Sequence, residues 1–125
     1  MLKDNRQRLT LGAHGEALAA RFLVEQGYQI LQRNFRTRYG EVDIIAKAPD
    51  NLIIFCEVKT RRGHTFGYPE LAVTKTKHQH LIRAAQSYLE QHQLNNFWRI
   101  DIIGIEFVGR EIEPEIRWFK DVGHE

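Results

Sequence analysis

Hydrophobic and polar positions alternate in two rhythms along the chain. Residues 12–27 show apolar side chains at three- and four-residue steps, which predicts a helix ended by Gly27. Residues 28–37, YQILQRNFRT, predict a strand, Tyr39-Gly40 a turn, and residues 41–48 a second strand. Pro49-Asp50-Asn51 has hairpin-turn chemistry. Residues 52–60 are almost continuously apolar, which predicts a third strand at the centre of a sheet. Residues 61–73 hold Gly63, Gly67 and Pro69 and predict a long loop. Over residues 75–92 the stripe His78, Leu81, Ile82, Ala85, Tyr88, Leu89 and His92 predicts a second helix with one inward face. Residues 97–107, FWRIDIIGIEF, predict a fourth strand, and Gly109 turns the chain into a last strand at 111–119 that Pro114 confines to an edge. The order is α-β-β-β-α-β-β, an α/β sandwich around a central mixed sheet. Its third strand, second helix and fourth strand can form a right-handed parallel crossover.

At 125 residues, without repeats or linkers, the chain reads as one domain over 1–125, with a polar, flexible segment at 1–10. With 42% hydrophobic and 27% charged residues it is globular. The one cysteine, Cys56, lies in the apolar run LIIFCEV and reads as a buried reduced thiol. There is no signal-peptide pattern and no run of the roughly 18–20 apolar residues that a membrane span needs. These features point to a soluble, cytoplasmic protein with no membrane partner.

The net charge of +2 hides an asymmetry. Residues 1–83 carry 14 basic and 8 acidic side chains, whereas residues 84–125 carry 4 basic and 8 acidic ones. The cations cluster as Arg33, Arg36 and Arg38, as Lys59, Arg61 and Arg62, and as Lys75, Lys77 and Arg83. Twelve of the 18 are arginine, the type suited to bidentate phosphate contacts, and Arg36, Arg38, Arg61, Arg62, Lys75 and Lys77 are candidates for tracking a nucleic-acid backbone.

Three acids and a lysine occupy positions that a core should not give them. Side chains alternate along a strand, so Glu57 and Lys59 share one face at the end of the most apolar segment. Reflecting residue 57 about the hairpin centre near residue 50 lands on Asp43, so these two carboxylates are expected as cross-strand neighbours. Opposed like charges repel, and a bound cation would remove that cost. Hard oxygen ligands suit Mg²⁺ or Mn²⁺. Glu16 lies inside the apolar arc of the first helix, between Ala20 and Leu23, and needs a cation or a donor there. Phosphodiester hydrolysis uses such parts: carboxylates, with a main-chain carbonyl such as that of Val58, to hold a divalent ion, and a lysine to orient or deprotonate water.

Asp43, a hairpin and then Glu57-Val58-Lys59 resembles the D…ExK motif of the restriction-endonuclease-like, or PD-(D/E)xK, nuclease superfamily. A preceding helix bearing Glu16 is similar to the pattern of its Holliday-junction resolvases. More closely, GAHGE at 12–16, NFR at 34–36, GEVDIIA at 40–46, EVKTR at 57–61, Gly67-Tyr68-Pro69, Lys75 with Lys77, and RID at 99–101 resemble the bacterial YraN-type family of proposed endonucleases. The resemblance implies a restriction-endonuclease-like three-layer sandwich. It also implies Asp43 and Glu57 as metal ligands, Lys59 as catalytic lysine, Glu16 as accessory acid, DNA as substrate in branched or single-stranded form, and a homodimer as in resolvases.

Competing chemistries lack their signatures. The six histidines include no HExxH pair, and neither a phosphate-binding GxxxxGK[ST] or GxGxxG loop nor a GxSxG elbow is present. Asp101 reads as a buried structural acid paired with Arg99 or Arg36, and Tyr39, Phe66 and Tyr68 as aromatics able to pack in the core or stack on unpaired bases. The alternative to a nuclease is a non-catalytic nucleic-acid-binding protein on the same fold.

Overall fold

The structure, a computed structural model, describes residues 10–63, 74–109 and 113–122. Helix α1 spans Leu11–Glu25. Thr10 caps it, its hydroxyl accepting from the Ala13 N–H at 3.0 Å, which satisfies one of the otherwise unpaired amides of the first turn. Gly27 follows the helix at φ +91°, a left-handed conformation that halts the winding. Strands β1 (Gln29–Thr37), β2 (Gly40–Lys47) and β3 (Ile53–Arg62) come next, then helix α2 (Lys75–Gln91), β4 (Trp98–Phe107) and β5 (Glu115–Phe119). The order is the expected α-β-β-β-α-β-β.

The five strands form one mixed sheet in the order β1-β2-β3-β4-β5. Among the described strands only β3 and β4 run parallel, and α2 lies between them in the chain. On one face Ala19, Ala20 and Leu23 of α1 pack on Ile44, Ala46, Ile54, Cys56, Ile103 and Ile105. On the other, Leu81, Ala84, Ala85 and Tyr88 of α2 pack on Val42, Ile45, Ile53, Phe55 and Ile100. The Tyr88 ring stands edge-on to Phe35 and Phe55, with centroids 5.3 and 5.9 Å apart. Burying a side chain of this size contributes roughly 1.5–3 kcal/mol, and aromatic edge contacts add to that. Helices on both faces give an arrangement compatible with a three-layer sandwich.

Four details differ from the expected pattern. Arg61 and Arg62 extend β3 instead of opening a loop, because the parallel ladder continues through Arg61↔Glu106 and Arg62↔Phe107. The last strand begins only at Glu115, after Pro114, although it lies at the sheet edge as expected, bonded only to β4 among the described strands. Ala84 joins the inward stripe of α2. Ala17 and Val24 of α1 are exposed, so its apolar arc is narrower than the residue types imply. The segment 1–9 and most of the expected 61–73 loop, with Phe66, Tyr68 and Pro69, lie outside the described residues.

The β2–β3 hairpin has the register deduced from its turn: Ile44↔Cys56, Ile45↔Phe55, Ala46↔Ile54 and Lys47↔Ile53. Beyond Ile44 the sheet forks. Residues 40–42 pair only with β1, through Phe35↔Val42, Arg36↔Glu41 and Thr37↔Gly40, while β3 runs on beside β4. Asn34 sits at φ +54° between the pairs Arg33↔Ile44 and Phe35↔Val42, a left-handed conformation that asparagine tolerates. The alternation of β2 skips a beat here. Ile44 packs toward α1, yet Val42, two residues before it, packs toward α2. Asp43 is the residue at the fork.

Candidate active site

At the fork a side chain takes over from the backbone. Asp43 Oδ2 accepts a hydrogen bond from the Val58 N–H at 2.7 Å. Asp43 is 8% exposed, and its neighbour across the fork, Glu57, is 5% exposed. Burial, followed by the negative charge of Glu57, then of Glu16 and Glu41, pushes the Asp43 carboxyl up to about 7 against the pull of the Val58 hydrogen bond. The carboxyl is thus poised between its charged and neutral forms near neutral pH.

Glu57 faces the opposite environment, one of cations. Its Oε2 takes Lys59 Nζ at 3.2 Å and Lys77 Nζ at 2.6 Å. Glu57 and Lys59 share the α2 face of β3, as alternation requires, and Lys77 reaches down from the first turns of α2. Burial, then the adjacent Lys77, holds the Lys59 ammonium below its ordinary value. Lys77 is also pushed down by burial, but its contacts with Glu57 and Lys59 outweigh that and raise it. Two ammoniums on one oxygen share a single negative charge, and the more enclosed Lys59 is the one that gives up its proton more readily.

Glu16 approaches from α1. The helix can come this close because Gly15 has no side chain: a Cβ there would lie 1.9 Å from Thr60 Oγ1 of β3. The Glu16 carboxyl rises above its ordinary value through burial, then through repulsion from Glu41 and Glu57, while Arg33 and a contact with Asp43 oppose the rise. Arg33 Nη2 stands 3.9 Å from Glu16 Oε1, a long-range cationic partner of the kind that position requires.

The fold therefore gathers Glu16, Asp43, Glu57 and Lys59, and it adds Lys77, which the sequence reading placed on a phosphate-tracking surface. The signal for Lys77 was present, since it lies four residues before Leu81 on the inward stripe of α2. Glu41 was also missed: its charge reaches Asp43 across the break in the alternation of β2, which the sequence does not show. The other five cations lie apart from this cluster. Arg36 pairs with Glu41 at 3.1 Å, Arg38 donates to the Tyr39 hydroxyl at 3.0 Å, and Arg61 donates to the carbonyl of Thr60. Arg62 lies over the Phe107 ring and Lys75 is exposed at the start of α2. Asp101 is paired with Arg99, the first of its two expected partners. His14 stacks on Phe107, with centroids 5.4 Å apart.

The donor set suits a hard divalent cation. Asp43 and Glu57 offer carboxylate oxygens, Val58 a main-chain carbonyl, and Glu16 a further acid close to both. Among the described residues no three acidic, histidine or cysteine side chains stand as a preformed metal cage, and the lysines now meet Glu57. Two protein carboxylates completed by water are the usual holding of Mg²⁺, which retains much of its hydration shell. No helix among the described residues is long and apolar enough to cross a membrane.

A small α/β protein, then, whose mixed sheet opens over a buried cluster of acids and lysines: such is the class that fold and site define. The chain belongs to the uncharacterised protein family UPF0102, the YraN-type family that its sequence resembles, with residues 15–105 matched. It is 47% identical over 110 residues to a UPF0102 protein of Syntrophotalea carbinolica, covering 87% of this chain and 89% of the relative. A relative in Caldicellulosiruptor saccharolyticus is 49% identical over 96 residues, 76% of this chain and 80% of that one. Another in Rhodococcus opacus is 44% identical over 116 residues, 90% and 95% respectively. The matched span contains every member of the cluster.

Proposed function

We propose that this protein is a metal-dependent endonuclease of the restriction-endonuclease-like fold, hydrolysing phosphodiester bonds in DNA. The observation that carries the reading is the gathering of two buried carboxylates, Asp43 and Glu57, at the fork of the sheet, with Glu16 reaching in from α1 and Lys59 bound to Glu57 on β3. Such a constellation costs stability unless a cation or a substrate uses it. Asp43 and Glu57, with the Val58 carbonyl, would hold Mg²⁺ or Mn²⁺, and Glu16 would act as the accessory acid. A divalent ion there supplies charge neutralisation at the scissile phosphate and a lowered pKa for the attacking water. Lys59 would orient or deprotonate that water and meet negative charge growing on the phosphate. Lys77, Arg36, Arg38, Arg61, Arg62 and Lys75 would hold backbone phosphates without reading sequence.

The test is cleavage of linear, forked and four-way DNA by pure protein with Mg²⁺ or Mn²⁺. Wild-type protein is expected to cut at least one of these, and Asp43→Ala to cut at least about 100-fold more slowly, since it loses a ligand of the charge-stabilising ion. No cleavage by wild type, or equal cleavage by Asp43→Ala, defeats the proposal.

One observation favours a second reading, a non-catalytic nucleic-acid-binding protein. Glu57 already has two ammoniums on one oxygen, so its charge is met without a metal. Salt-dependent DNA binding retained in Asp43→Ala and Glu57→Ala, with no metal-dependent cutting, would favour it.

A further inference from the structure

Tyr39 is an aromatic ring that the core does not use. It belongs to the two-residue turn Arg38-Tyr39 that joins β1 to β2, and the Thr37 hydroxyl ties that turn together. The hydroxyl accepts from the Tyr39 N–H at 3.0 Å and donates to the Gly40 carbonyl at 3.1 Å. Two guanidiniums lie over the ring. That of Arg38 lies 5.1 Å from its centroid while donating to the phenol oxygen, and that of Arg83, from α2, lies 5.7 Å away. The ring is thus fixed in place at the surface.

It also divides two clefts. One, of about 620 Å³, is lined by Tyr39 with Arg83, Gln86, Ser87 and Glu90, a single exposed face of α2 at three- and four-residue steps. The other, of about 300 Å³, runs from Tyr39 past Gly40, Glu41, Thr74 and His80 to Lys77, whose ammonium rests on Glu57. The ring therefore stands at one end of a path that reaches the acid–lysine cluster at the other. From Lys77 to Arg83 is six residues of helix, about 9 Å along its axis. At about 3.4 Å per stacked nucleotide, that spans two to three nucleotides.

We infer that Tyr39 is the stacking platform of a subsite for an unpaired nucleotide, a few positions from the phosphate presented to the Asp43–Glu57 cluster. The inference rests on the nucleic-acid reading above and names its substrate class: single-stranded DNA, or the single-stranded arm of a fork. A base in a duplex is already stacked on both faces and cannot offer one to a protein ring, whereas an unpaired base can. Arg38 and Arg83, whose guanidiniums lie over the ring in the free protein, would swing off it as the base stacks and meet the phosphates on either side of that base. Gln86, Ser87 and Glu90 supply donors and acceptors to the base edge, and Glu90 tempers the positive charge enough that the cleft selects for a base as well as a backbone.

The experiment is fluorescence anisotropy in EDTA, which separates binding from cutting. The probes are a labelled single-stranded oligodeoxynucleotide of mixed sequence and a blunt duplex of equal length, and melting curves accompany every variant. Wild-type protein is expected to bind the single strand more tightly than the duplex. Tyr39→Ala should weaken single-strand binding roughly tenfold or more while changing duplex binding by less than about twofold, and Tyr39→Phe, which keeps the ring, should stay within about threefold of wild type. The inference is overturned if wild type does not prefer the single strand, if Tyr39→Ala binds it as wild type does, or if Tyr39→Phe loses as much as Tyr39→Ala. Its failure and that of the nuclease proposal are separable. Tyr39-dependent binding without metal-dependent cleavage defeats only the nuclease. Asp43-dependent cleavage with no effect of Tyr39 defeats only the stacking subsite.

Discussion

Two buried acids on adjacent strands of this sheet have opposite fates. Asp101 of β4, wholly buried, pairs with Cys56 across the parallel ladder. It receives Arg99 in two hydrogen bonds of 2.8 and 3.2 Å, the Trp118 indole N–H at 2.8 Å, and the Asp121 N–H at 2.9 Å. Asp43, across the fork from the very next residue of β3, has one backbone N–H and three acidic neighbours. The first acid has a donor for nearly every lone pair and ties β5 and the chain beyond it to β4. The second has a single backbone donor and three acids for neighbours, with Lys77 as a counter-charge. A buried carboxylate is therefore structural or functional according to what faces it, and burial alone does not distinguish the two.

The comparison can be broken in three places, taken from the largest effect to the smallest. Asp101→Ala leaves Arg99 charged and half-buried and strips Trp118 and Asp121 of an acceptor. It is expected to cost about 3–5 kcal/mol in urea unfolding, as removal of one partner of a buried ion pair does. A cost below about 1 kcal/mol would remove Asp101 from the structural side of the contrast. Asp43 should behave in reverse. Its folded carboxyl titrates at about 7, above the ordinary 3.8, so the folded state holds the proton more tightly. The stability this lends is full below the ordinary value and is lost as pH rises through about 7. At about 1.4 kcal/mol per pH unit the loss has a ceiling near 4 kcal/mol. Urea melts in EDTA at pH 5 and pH 8 should therefore show wild type falling relative to Asp43→Asn, and parallel behaviour would refute the raised carboxyl. The smallest effect belongs to Gly15→Ala. The added methyl overlaps Thr60 and pushes α1 off β3, costing about 1–3 kcal/mol. Because Glu16 rides on the same turn, this variant is expected to lower any metal-dependent cleavage by more than its melting midpoint explains.

Much of this was legible in the sequence because it followed from local rules. The turn at Pro49-Asp50-Asn51 set the register that brought residue 43 to residue 57, and two-residue alternation put Lys59 beside Glu57. Asp101 was readable as a paired acid because Arg99 lies two residues away on the same strand. What stayed hidden depended on tertiary context. Arg61 and Arg62 look like loop residues until β4 offers them a parallel partner. Lys77 looks like one of several surface cations until α2 is laid across β3 and its stripe is extended back by one turn. The fork itself has no composition of its own. It arises where Asn34 bends β1 and the Asp43 carboxylate takes a backbone amide in place of the next rung of the ladder.

That substitution has a spectroscopic consequence. In an ordinary ladder the Val58 amide would face a carbonyl, whose electron density changes little with pH or ligand. Here it faces a carboxylate that is half-titrated near neutrality. The Val58 amide proton thus carries a site-specific signal of the charge on Asp43, and its chemical shift would register proton, ion or substrate from within the backbone, with no label added.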